Sequence, residues 1–106
     1  MMSEFFEKRA EELLTEYIVG ATKTVERNNF QYELEVLTKH YVSGGHTGTK
    51  KERMKQVYEL LNVLILKANQ EKKKAKDEKE IKKMHLLLKA LTNVRNLWHN
   101  YYGFAK

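Results

Sequence analysis

Not one of the 106 residues is proline. A chain without proline has no position at which a helix is obliged to break, so long uninterrupted helices are permitted. The apolar residues use that freedom. Phe6, Ala10, Leu13, Tyr17, Ala21 and Val25 recur at three- and four-residue spacing, with Leu14 and Ile18 widening the stripe. Ser3 is placed to cap this segment, and Glu4 and Glu7 suit the positive end of its dipole. Gly20, beside the stripe, would let another helix come close at about 1 kcal/mol in helix propensity. A T-x-x-E capping box, Thr49 and Glu52, opens a segment with Met54, Val57, Tyr58, Leu61, Leu64, Ile65 and Ala68 on one face. Asp77 and Glu80 form a D-x-x-E pair before Met84, Leu87, Leu91, Val94, Trp98 and Tyr101.

The expected fold class is therefore all-α: a compact four-helix bundle-like domain over residues 1–106. Its helices would span approximately 4–27, 30–42, 50–74 and 78–102, the last two as an antiparallel hairpin with a turn near 74–77, one continuous long helix being the alternative. "FQYELEVL" (30–37) fits two periods. Phe30, Tyr32, Leu34 and Val36 alternate as in a half-buried strand, whereas Phe30, Leu34, Leu37 and Tyr41 keep a helical stripe. A lone strand needs a partner chain, and no second convincing strand exists, so a helix is expected. "SGGHTGT" (43–49) is the one clear loop. It lacks the spacing and terminal Lys-Ser/Thr of a phosphate-binding P-loop, and is read as a flexible connector holding a solvated His46.

Several function classes drop out. Hydrophobic residues make up 42% of the chain, enough to exclude wholesale disorder. The longest apolar run, Val63–Leu66, is far below the roughly 20 residues needed to span a bilayer. The N-terminus has neither the basic start nor the cleavage site of a signal peptide, so a cytoplasmic protein without membrane association is expected. The absence of cysteine removes thiol nucleophiles, disulfides and cysteine-based zinc sites. His40 and His46 are six apart, His85 falls on a polar face, and Glu33 and Glu35 would point in different directions, so no metal, cofactor or catalytic centre is expected.

The closing stretch "NVRNLWHNYYGF" (93–104) raises one chemical alternative. Trp98, Val94, Leu91 and Tyr101 share a helical face, with Arg95 and His99 at its rim, four residues apart and neighbours. This pair resembles the R-x(4–6)-H element of HEPN-type ribonucleases, helical enzymes that use the arginine and histidine on RNA. Only three residues separate the two here, which departs from that pattern. Packing of the aromatic rings, with the Arg95 stem along the apolar rim, is the expected role.

Charge is the informative feature. Residues 1–49 carry five basic and eight acidic side chains, and residues 50–106 fifteen and six. Such asymmetry raises the prospect of a polyanionic partner. Sixteen of the twenty basic residues are lysine, a bias of AT-rich coding sequences such as those of low-GC bacteria and their phages and plasmids. Lys50, Lys51, Arg53 and Lys55 at a helix start, with Lys72, Lys73 and Lys74, are the candidate anion- or nucleic-acid-binding residues, suited to phosphates rather than base edges. In "LLNVLIL", Leu60, Val63 and Leu66 fall off the main stripe and are the candidate protein interface, a homodimer contact included. The expected function is a small non-enzymatic accessory protein, a phage- or plasmid-type modulator binding stoichiometrically to a larger protein or nucleoprotein machine. A sequence-nonspecific nucleic-acid binder is the alternative, and a HEPN-like ribonuclease the distant one.

Overall fold

The computed structural model describes residues 4–19, 27–44 and 48–105, with side chains for all of these except 27–28 and 102–105. Four helices carry the chain: α1 (Glu4–Val19), α2 (Arg27–Ser43), α3 (Lys50–Lys74) and α4 (Glu78–Ala105). The expectations for Ser3, Gly20, Ala21, Val25, His46 and the Tyr102 and Phe104 side chains fall outside the described residues.

Local signals set the ends of the long hairpin. Thr49 is extended, and its hydroxyl oxygen accepts a hydrogen bond from the Glu52 amide at 3.1 Å, starting α3 where the capping box places it. At the far end the Ala75 amide donates to the Lys72 carbonyl, and the Asp77 carboxylate accepts from the Lys79 amide at 3.1 Å. Only Ala75, Lys76 and Asp77 therefore separate α3 from α4.

Cross-helix contacts give the directions. Phe6 stacks on Tyr41 with ring centres 4.1 Å apart, while Tyr17 meets Phe30 edge-on, so α1 and α2 are antiparallel. Asn93 bonds Gln31, and Trp98 Nε1 donates to Thr38 Oγ1 at 2.9 Å, so α2 and α4 are parallel. Helices α3 and α4 run antiparallel along their whole length, and α1 lies on the α3 flank. At about 1.5 Å per residue the 28-residue α4 spans roughly 42 Å, matching the 43 Å long axis of the molecule.

In α2 the strand-like alternation is resolved by packing. Phe30, Leu34, Thr38 and Tyr41 are buried at helical spacing, and Tyr32 and Val36 turn outward. The remaining core is Val57, Leu61 and Leu64 from α3 with Leu87, Leu91 and Val94 from α4, overlaid by Phe6, Leu13, Leu14 and Tyr17 of α1. Among the described residues no strand occurs, and no buried polar side-chain atom lacks a partner.

Two placements correct the sequence reading. Leu60 is only 3% exposed and belongs to the core. The first two helices press on one flank of α3, which widens its buried sector toward Leu60 and leaves Tyr58 and Ile65 half-buried on the other flank. Tyr101, expected along the centre of α4, is half-exposed and touches the core only through the edge of Trp98, 5.5 Å between ring centres.

Candidate binding surfaces

The basic residues separate into groups with different tasks. Arg53 is 8% exposed; its Nε donates to the Val42 carbonyl at 2.9 Å and its Nη1 to the Gly48 carbonyl at 2.6 Å. It therefore closes the C-terminal end of α2, where the helix dipole favours a cation, and is removed from the anion-binding set. A parallel arrangement holds α1, which has no basic residue in its last turn. The missing charge comes from α4: Lys83 Nζ donates to the Ile18 carbonyl at 2.6 Å.

The lysines proposed for phosphate contacts are not gathered into one site. Lys50, Lys51 and Lys55 lie at the start of α3 and Lys72, Lys73 and Lys74 at its end. Some 22 residues of helix hold the two groups roughly 33 Å apart. At the far end Lys74 pairs with Glu71 at 3.6 Å and Lys72 Nζ stands 3.4 Å from His85 Nδ1.

The structure brings together residues that sequence spacing kept apart. Along α3, Lys51, Lys55, Tyr58, Asn62, Leu66 and Asn69 follow one another at spacings of four and three, hence on one face. Along α4, His85, Leu88, Thr92, Arg95 and His99 do the same. The two faces adjoin: the Tyr58 and His99 rings are 5.3 Å apart, Arg95 Nη1 donates to Asn62 Oδ1 at 3.3 Å, and Lys72 meets His85. Arg95 Nη2 also donates to Asn96 Oδ1. The resulting strip is the flank of the hairpin that α1 and α2 leave uncovered.

Large apolar side chains are exposed on every helix: Phe5 and Val19 on α1, Tyr32 and Val36 on α2, Val63 and Leu66 on α3, Ile81 and Tyr101 on α4. Val63 and Leu66, 46% and 61% exposed, stand on the outer side of α3. Between α1 and α2, Leu13 and Leu37 floor a groove of about 360 Å³ bordered by Tyr32 and Val36, 68% and 49% exposed and one turn apart. Its rim is charged. Arg9 reaches Glu16 at 3.3 Å and Glu12 at 4.0 Å, and Glu33 accepts a 2.7 Å hydrogen bond from the Tyr17 hydroxyl. Burial, followed by that bond to Glu33, pushes the Tyr17 pKa up to about 12. Sequence reasoning placed the apolar surface on α3 and missed this groove. The signal was the Phe30–Val36 alternation: on a helix, period-2 apolar spacing forces half of those side chains away from the core.

His40 lines the groove, and Glu35 accepts from Gln31 rather than facing Glu33. Among the described residues no group of three or more His, Cys, Asp or Glu side chains could hold a metal ion, and no helix is long and apolar enough to cross a membrane. No family model, no curated protein and no solved structure matches this chain.

Proposed function

We propose that this protein acts by stoichiometric, non-catalytic binding, as a small modulator that docks on a larger protein or nucleoprotein assembly of the phage- or plasmid-associated kind. The observation that carries the reading is the pair Tyr32 and Val36, apolar side chains held in solvent beside an open cleft. Exposed large apolar groups that border a cleft and are rimmed by charge mark a recognition surface rather than ordinary surface scatter. The occupant that fits is an amphipathic helix, its apolar face laid between α1 and α2. The groove is lined by Arg9, His40 and one carboxylate, Glu33, and Arg9 is itself paired with Glu12 and Glu16; a partner helix with lysine or arginine beside its apolar stripe meets that acidic surround.

A photo-crosslinking phenylalanine analogue at position 32, installed in the cells that make the protein, tests this. The expected adduct is one-to-one, with a single protein and through a basic amphipathic segment identified by mass spectrometry, and Val36→Lys removes it. Adducts formed only from a probe at position 66 would move the interface to α3. Adducts to a second copy of this chain would replace the reading with a homodimer.

A further inference from the structure

We propose that the uncovered flank of the α3–α4 hairpin is a binding site for single-stranded nucleic acid, with Lys51, Lys55 and Arg95 on phosphates and the Tyr58–His99 ring pair stacking on bases. Three observations converge there. First, none of the strip's own positions, from Lys51 to Asn69 on α3 and from His85 to His99 on α4, is acidic. Glu52 and Glu59 stand one turn from Lys55, at the outer edge of the strip and about 100° around the helix from Tyr58 in the case of Glu59. Glu71 turns to the other flank, where it lines a cleft with α1. The seam where α3 meets α4, with Tyr58, Asn62, Arg95 and His99, is the carboxylate-free part of the strip.

Second, Lys55 and Arg95 stand one helical turn from a pair of rings, Tyr58 and His99. Tyr58 and His99 sit 5.3 Å apart with their planes inclined at 35°, and the His99 side chain is exposed. Aromatic surfaces next to a positively charged track are what unpaired bases require, since every base has a face to stack and none needs to be read by its edge. Third, Arg95 is held in place by its bonds to Asn62 and Asn96, which leaves a planar guanidinium among amide groups that can donate to phosphate or base. A flexible single strand supplies phosphates for these cations and base faces for the rings at once.

This site and the α1–α2 groove use different helices, so either can fail alone. The test is fluorescence anisotropy with a labelled oligothymidylate, the matching oligouridylate and a duplex of equal length, each titrated across a salt series. Three phosphate contacts predict that log K falls against log salt with a slope of about −2 for the single strands. Tyr58→Leu is expected to weaken single-strand binding by about tenfold without changing that slope. Lys51→Glu with Lys55→Glu should weaken binding far more than the charge-matched control Lys79→Glu with Lys82→Glu, which lies off the strip. Should far-UV circular dichroism show either strip variant misfolded, Arg95→Gln serves in its place. Duplex bound as tightly as the single strands would overturn the proposal, because charge alone would then explain binding. Equal losses in strip and control variants, full affinity in Tyr58→Leu, or no binding at low salt would overturn it as well.

Discussion

Arg53 shows how a residue's chemistry is decided by what its donors meet. Its guanidinium leaves the solvent to tie the last turn of α2 to Gly48, two residues before α3 begins. Arg53→Met is expected to cost about 2–3 kcal/mol, because two backbone carbonyls lose charge-assisted donors; denaturant unfolding measures this, and Arg53→Lys should recover only part of it, lacking the planar fork. Gly48 accepts one of those bonds with φ at +88°, a conformation that disfavours any side chain. A Cβ there would also stand 2.8 Å from Glu52 Oε2, which has room to swing away, so the backbone sets the cost of Gly48→Ala at about 1 kcal/mol. Tyr17 supplies the pH dependence. The folded protein holds its phenolic proton more tightly than the unfolded chain, with a pKa of about 12 against 10.0. The associated stability is fully present below pH 10 and is lost as pH rises from about 10 through 12. Thermal melts across that range should show a fall in Tm that Tyr17→Phe flattens.

At the scale of the element, the caps of the α3–α4 hairpin were more legible than the helix faces, whereas the first helix was expected to reach residue 27, which belongs to α2. Capping signals are local: a side chain and an amide three residues on suffice, so the α3 start at Thr49 and the Asp77 turn could be read without tertiary knowledge. Thr49→Ala should accordingly cost about 1 kcal/mol. Which flank of a helix is buried depends instead on neighbours far along the chain. Leu60 and Leu66 are chemically identical and both lie off the α3 stripe, yet one is 3% and the other 61% exposed, because α1 and α2 arrive on one side only. Leu60→Ala should lose about 2–5 kcal/mol of unfolding free energy and Leu66→Ala no more than about 0.5. The ambiguity of residues 30–37 has the same origin. Both periods are present in the string, and the missing partner strand, a non-local fact, selects the helix that sends Tyr32 and Val36 outward.

For the whole molecule, the α3–α4 hairpin is the platform: α2 packs on both of its helices, and α1 lies on α2 and α3. Trp98, the single tryptophan, bonds Thr38 of α2 in the core, so its fluorescence reports the α2–α4 contact while far-UV circular dichroism is weighted toward the long hairpin. Coincident denaturant transitions by the two probes are expected for one cooperative unit; a hairpin signal outlasting the tryptophan signal would make α3–α4 a unit of its own. The charge asymmetry of the two halves also changes meaning at this scale. Lys83 and Arg53 serve the ends of α1 and α2, and Lys67 reaches Glu11 of α1 at 2.9 Å. Part of the basic excess is thus internal wiring. By itself the sequence determined the all-α class and the capping positions Thr49 and Asp77, because periodicity and capping act over a few residues; it kept a continuous α3–α4 helix as an alternative and ran the first helix to residue 27, where α2 begins. Only the tertiary structure decided which leucine is core, which cations remain free, and that Lys51, Lys55, Tyr58, Arg95 and His99 share one flank. Those outcomes depend on which helix surfaces meet, and each surface is defined only by the one packed against it.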